Sequence, residues 1–314
     1  MKKRPLGKTG LLVSELTLGT WGLSGDACGA VSPEDAEKTI QRALEIGFST
    51  IDTCDAYGAG KLEELLGRVL EKRLDVTVIT RGGTDLRTEP PIQNFAPEYL
   101  EGAVARSLMR LRRETIEIYL LHNPGVETLK RGEATQAIKA LVEKGQIRHW
   151  GVSVGDADSA RAALEQGAEV IEIAYNLFHS LDLHRIAGDV MVAGAGVLAR
   201  STLGYGLLAG GWAHDREFPV GDHRRDRWTK LELAHRVGQL EAIRFLVKGD
   251  VPSLRGAAVR FALANHVVSA AVLGPRSVEQ LEQLVREVSA GPTYLPESDL
   301  AALPRALSSV GILT

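Results

Sequence analysis

The chain has 314 residues, 44% of them hydrophobic, enough to bury the core of one large α/β barrel or of two medium domains. Its 37 basic and 40 acidic side chains leave a formal net charge of -3, which excludes the broad positive field of a nucleic-acid or anionic-membrane binder. Two cysteines, Cys28 and Cys54, are too few for a disulfide framework and lack CxxC spacing, so a reducing, cytoplasmic setting is expected.

Along the chain, Met1 to Leu12 is charged and has no apolar leader, and no apolar run reaches the ~18 residues of a membrane span. No membrane association is expected. Arg4 to Val13, with Gly7 and Gly10 around Lys8-Thr9, reads as a short hairpin plugging a barrel floor. Gly7-Lys8-Thr9 is not a phosphate-binding P-loop, because no glycine stands at the required upstream position and no strand precedes it. Apolar runs then follow at Val13 to Leu18, Thr50 to Thr53, Val76 to Thr80, Ile116 to Leu121, His149 to Val154, Val170 to Tyr175, Val197 to Arg200 and Ala270 to Leu273. They alternate with segments of helical period, the signature of βαβ units.

The helix after the first run is the clearest. Ser32 caps it, Pro33 suits its first position, and Ala36, Ile40, Ala43 and Leu44 form one apolar stripe ending at Gly47. Similar stripes occur in Lys61 to Arg73, Pro97 to Arg113, Gln136 to Lys144 and Val278 to Val288. Eight strand–helix pairs without a composition break predict one (β/α)8 TIM barrel over residues 1–314, with the N-terminal hairpin as plug and loops on its C-terminal face. Gly210 to Pro252 is a charged insertion after the seventh strand. It reads either as a lid over that face or as a solvated loop with a helix near Leu231 to Leu246.

Polar residues interrupt the strands at matched ends. Asp52 ends the second, Arg81 the third and His122 the fourth, while Tyr57 follows Asp52 by one loop. Barrel interiors favour branched apolar side chains, so charges there need a partner or a chemical role. Taken singly, each fits a buried Asp52–Arg81 ion pair or a satisfied core histidine. Taken together, they suit proton transfer: a phenol of reference pKa ~10 needs a nearby cation and an imidazole to tune it. Cys54 lacks an obvious activating base and reads as a small buried thiol, and no His/Cys/carboxylate spacing suggests a metal.

At these residues the chain resembles the aldo-keto reductase family. Gly7 to Ser14, Leu18-Gly19-Thr20-Trp21-Gly22, Asp52-Thr53 to Tyr57-Gly58, Leu120-Leu121-His122, Ile147 with Gly151-Val152-Ser153, and Gly274-Pro275-Arg276-Ser277 resemble its landmarks in order and spacing. The resemblance implies reduction of an aldehyde or ketone by a nicotinamide cofactor, NADP with NAD as an alternative. It implies Tyr57 as general acid, His122 as the group orienting the carbonyl, and Asp52 paired with a basic residue. A small-molecule carbonyl substrate and a monomer or weak oligomer are expected.

For the cofactor, the resemblance implies Ser153 and Glu172 at the nicotinamide carboxamide, with Gly19, Thr20, Trp21 and Asp52 among the contacts. Arg200, Ser201, Leu203 and Gly206 would surround the pyrophosphate, and Gly274, Arg276 and Gln280 the adenosine end, Arg276 favouring a 2′-phosphate. Ser277 with Gln280 also reads as a plain capping box, and Tyr175-Asn176 as rim packing. Five positions depart from the family pattern: Arg81 replaces a lysine, Val154 an asparagine, Glu172 a glutamine, and Gln283 and Leu284 an acidic residue and asparagine. Arginine keeps the charge but spreads it over a planar fork. Two alternatives stay open: a slow, cofactor-holding regulatory barrel, and a lyase or epimerase using Tyr57 and His122. Trp21, Tyr57 and Trp150 are expected as aromatic walls for the substrate.

Overall fold

In a computed structural model describing residues 1–313, the glycines around Lys8-Thr9 turn the chain back on itself. Lys3–Pro5 (β1) pairs antiparallel with Leu12–Ser14 (β2), as the hairpin reading requires. The tip enters the barrel from below. Leu6 is fully buried and packs with Ile79, Ile118, Leu120, Val170 and Leu198, the inward-facing side chains of the wall. Gly7 has φ +53°, and a Cβ there would lie 2.3 Å from the backbone nitrogen of Gly196. Only glycine fits that approach.

Eight parallel strands close the barrel: Leu16–Gly19 (β3), Thr50–Asp52 (β4), Thr77–Gly82 (β5), Ile116–His122 (β8), Ile147–Val154 (β9), Val170–Ala174 (β10), Gly196–Arg200 (β11) and Val268–Leu273 (β12). Between β5 and β8 a two-stranded ribbon, Thr84–Asp85 (β6) and Ile92–Gln93 (β7), rises from the rim. Each of the eight expected runs falls on a barrel strand, with one refinement: Val13 to Leu18 is divided. Val13 and Ser14 belong to the plug, Leu16 onward to the wall, and the buried Glu15 at the break pairs with Arg4, Nε to Oε2 3.4 Å.

The helices form the outer layer. Pro33–Ile46 (α1) starts on the Ser32 hydroxyl, which accepts from the Asp35 N–H, and ends on Gly47 at φ 102°. Lys61–Val69 (α2) and Pro97–Leu111 (α3) follow β4 and the ribbon. After β8 come two helices, Val126–Arg131 (α4) and Glu133–Glu143 (α5), divided by Gly132 at φ 82°; only the second carries a stripe long enough to read in the sequence. Ala157–Glu165 (α6), Leu181–Ala193 (α7), Leu254–Ala264 (α9), Val278–Ser289 (α10) and Glu297–Ser308 (α11) complete the layer. The insertion runs irregularly to Trp228 and then forms Lys230–Gln239 (α8) and a 3-10 turn at Leu240–Leu246.

Period-two alternation separates two cores. Ile79, Ile118, Leu120 and Val272 face inward, whereas Val78, Tyr119, Trp150, Val152 and Leu273 face the helices. Trp150 is therefore no substrate wall: it is almost fully buried, with the Lys139 ammonium of α5 5.8 Å from its ring centre. No helix among the described residues is long and apolar enough to cross a membrane.

Candidate active site

The C-terminal face of the barrel holds one large cavity, about 1210 Å³. Such barrels build their sites on this face, because the loops after each strand converge there. Asp52, Tyr57, Arg81 and His122 all line it, as do Gly19, Trp21, Ser153, Glu172, Arg200, Ser201, Leu203, Gly206, Gly274, Arg276 and Gln280. Among the expected catalytic and cofactor-binding residues only Thr20 stands outside. It is fully buried, and its hydroxyl donates to the Asp52 carbonyl at 3.0 Å, so it ties β3 to β4.

Arg81 is the hub. It is 2% exposed, and its Nη2 donates to Asp52 while its Nη1 donates to both Glu172 and, at 3.1 Å, the Ser153 hydroxyl. Its Nε donates to the Thr53 carbonyl at 3.2 Å. The Asp52–Arg81 pair was legible in the sequence. The Glu172 partner was not, since 91 residues separate it from Arg81 and only barrel closure joins them.

Electrostatics follow from one cation among two carboxylates in a dry setting. Burial, with repulsion from Glu172 and against the attraction of Arg81, pushes the Asp52 carboxyl up to about 8. Tyr57 is raised well above its ordinary value by burial, with Arg81 opposing, so the phenol stays protonated. Burial and then Arg81 push His122 down to about 4, so the imidazole is neutral. Its Nδ1 lies 3.6 Å from the Cys54 sulfur, whose thiol burial raises well above its ordinary value. Cys54 is thus a buried protonated thiol that braces the imidazole, a contact the sequence did not reveal.

Over the mouth lies the insertion, through Trp212, Arg216, His223 and Arg224, so the lid reading describes it better than the solvated loop. His223 packs on Trp21 with ring centres 4.5 Å apart, and its backbone N–H donates to the Ala27 carbonyl at 2.9 Å. Trp21 also stacks on Tyr57, centres 6.3 Å apart at 22°. The backbone beneath is strained where it meets the cavity: Asn123, Ser201 and Tyr205, all non-glycine and all lining it, have φ of 54°, 55° and 61°.

Cys28, Asp222 and His223 bring potential metal-ligating atoms within 4.8 Å of one another, a grouping invisible in the sequence spacing. Arg224, however, binds Asp222 through both Nε and Nη2. That ion pair lies within the lid and orients Arg224, whose Nη2 also donates to the Cys28 carbonyl at 3.4 Å and so ties the lid to the loop after β3.

At the far end, Arg276 donates to the Ala30 carbonyl at 3.4 Å, and its buried Nε has no partner. Ser277 caps α10 by accepting from the Gln280 N–H, as expected, while the Gln280 side chain accepts from the Arg276 N–H. Gln283 and Leu284 line this end too. Tyr175 and Asn176 serve packing: Tyr175 stacks on Phe261, and Asn176 donates to the Ser201 carbonyl. Val154 faces the helix layer and offers its carbonyl to Arg200.

A closed (β/α)8 barrel with an inward hairpin plug and a tyrosine, histidine and carboxylate–cation cluster at its C-terminal mouth defines a class of barrel oxidoreductases. The model of the Aldo/keto reductase family matches residues 15–303, and the chain belongs to that family, whose members are carbonyl-reducing oxidoreductases that use nicotinamide cofactors. Over 249 residues it is 29% identical to the NADH-specific methylglyoxal reductase of Escherichia coli, covering 74% of this chain and 76% of that one. Over 251 residues it is 30% identical to the NADP(+) aldo-keto reductase yakc of Schizosaccharomyces pombe, covering 71% and 73%. The glycerol dehydrogenase AKR11B4 from Gluconobacter oxydans superposes with a TM-score of 0.85 at 26% identity, covering 98% of this chain and 96% of that one.

Proposed function

We propose that the protein is an NADPH-preferring reductase of small aldehydes or ketones in which Tyr57 is the general acid. The observation that carries this reading is the convergence of Tyr57, His122, Asp52 and Arg81, from four different segments, on one cavity. A bound nicotinamide dinucleotide would supply the hydride that reaches the carbonyl carbon. The residues present fit such a group: Arg276 is partly exposed on the cavity wall and its side chain makes one long hydrogen bond, to Ala30 at 3.4 Å, so its remaining N–H groups can meet a phosphate, and Gly22 and Gly274 line the same end.

Tyr57 gives its phenolic proton to the carbonyl oxygen as the alcohol forms, and solvent later restores it. His122, neutral, offers one N–H to hold that oxygen beside the phenol. Arg81 stabilises the phenolate left behind, and Asp52 keeps Arg81 in place. The relatives divide between NADH and NADP, and Arg276, with Arg224 and Arg255 also lining the cavity, favours the cofactor carrying the extra phosphate. Trp21 and Tyr205 suit a moderately apolar substrate, and methylglyoxal and glycerol, named for the relatives, belong in the assay panel.

Tyr57→Phe tests the assignment. It should lower kcat for carbonyl reduction by about 10²- to 10⁴-fold while NADPH still quenches protein fluorescence with an affinity near that of the wild type. Undiminished reduction by this variant rejects the general-acid role. Single-turnover NADPH oxidation is the better readout where steady-state rates are small.

A further inference from the structure

Two departures from the family pattern lie far apart in the sequence, arginine at 81 and glutamate at 172, and the fold puts them in contact. Both are buried, at 2% and 1% exposure, and they form an ion pair. A lysine at 81 would present its N–H groups from one nitrogen, a point charge on a flexible stem. With all three N–H groups on that nitrogen, Asp52, Glu172 and Ser153 would have to close on a single point, whereas the guanidinium meets them on two nitrogens. Thr53 takes a fourth N–H of the guanidinium. Of its five N–H groups one is left, on Nη2, the nitrogen that also holds Asp52.

Each departure alone is costly. Glutamate at 172 facing lysine would be a buried carboxylate with a poorly placed partner, and arginine facing glutamine would lose the carboxylate that draws it across the barrel. We propose that Arg81 and Glu172 act as one unit, with Glu172 a positioning residue that fixes through Arg81 which N–H is presented to Tyr57. This rests on the reading of Tyr57 as the proton donor.

The unit also sets the charge felt by the phenol. Arg81 from β5, Asp52 and Cys54 from β4 and the loop after it, and Glu172 from β10 act on Tyr57, with His122 from β8 and Arg200 from β11 lining the same cavity. The second carboxylate cancels part of the cation's field. Removing its charge therefore makes the phenol easier to ionise.

The experiment compares the wild type with Glu172→Gln, Arg81→Lys and the double variant. Measurements are kcat for reduction, NADPH affinity by fluorescence, melting temperature, and the pH profile of alcohol oxidation, which requires phenolate. Each single variant should lose roughly tenfold or more in kcat, and the double variant should recover to within a few-fold of the wild type. In Glu172→Gln the alkaline limb of oxidation should move down by roughly one pH unit, a shift that a purely structural role would not cause. Losses that multiply in the double variant, or a limb that stays in place in Glu172→Gln, overturn the proposal. Should Arg81→Lys fail to fold, the limb in Glu172→Gln decides alone. Full activity of Tyr57→Phe would instead remove the underlying reading, while coupling between 81 and 172 in melting temperature and NADPH affinity would remain measurable.

Discussion

Arg81 on β5 reaches across the barrel interior to Glu172 on β10, three strands further round the wall. One cation thereby serves two buried carboxylates, and the surplus negative charge is relieved by a proton. Burial, with repulsion from Glu172 and against the attraction of Arg81, pushes the Asp52 carboxyl up to about 8, so the two carboxylates keep a shared proton to higher pH than a free carboxylate would.

Stability should carry the mark of that proton. A carboxyl whose folded pKa lies above its unfolded value binds more protons when folded, so its contribution is fully present below about pH 4 and is lost as pH rises towards 8. Asp55, pushed up to about 7 by burial and by Glu63, adds in the same direction. His122 acts oppositely, its pKa lowered to about 4, but only below its unfolded value near 6.5. The clean window thus lies between about pH 7 and 8. There the melting temperature should fall with rising pH, and Asp52→Asn should flatten the slope. An Asp52→Asn variant with the wild-type slope would place the proton elsewhere.

Catalysis should be blind to His122 ionisation in the working range. With its pKa pushed down to about 4, the imidazole is neutral and presents the same single N–H throughout. For reduction, kcat/KM should show no acid limb between about pH 5 and 7. A limb near the ordinary imidazole value, abolished in His122→Asn, would contradict a neutral orienting role.

Much of the barrel was legible because its signals are local. Alternation marks strands, the Ser32 cap and Gly47 bracket α1, and polar residues at strand ends stand out against branched apolar neighbours. What escaped depends on closure or on irregular backbone. Glu172 was legible only as a cofactor contact, and its pairing with Arg81 escaped because nothing local ties the two. The short α4 has too few turns for a periodic stripe, and His223 and Trp212 lie in a segment whose sequence has no period at all. Trp150 was misread for the opposite reason: its residue type suggested a binding wall, and the strand's alternation, which turns it outward, decided the matter.

The floor of the barrel gives a test of stability. Gly7 has φ +53°, and an added Cβ would meet backbone atoms of Ala195 and Gly196 at 2.3 to 2.5 Å rather than the end of a movable side chain. Left-handed strain and the displaced plug act together, so Gly7→Ala should cost about 2 kcal/mol or more. Chemical denaturation would read this as a lower midpoint with an unchanged slope. An unaltered midpoint would mean that the plug contributes nothing to closing the barrel.

Cofactor choice rests on the other end of the cavity. The Arg276 backbone N–H is fixed by the Gln280 side chain, its Nη2 donates weakly at 3.4 Å to Ala30, and its buried Nε is left without a partner. The guanidinium as a whole is only partly buried on the cavity wall, and an anion pairing with its remaining N–H groups gains a charge-assisted bond of roughly 1.5–3 kcal/mol. A 2′-phosphate can supply that anion and a free ribose hydroxyl cannot. Arg276→Ala should therefore raise the Kd for NADPH by about tenfold or more and leave that for NADH within about twofold. Equal losses for both dinucleotides would show that Arg276 holds the shared adenosine or pyrophosphate, and the preference for NADPH would then have to come from Arg224 or Arg255 across the cavity.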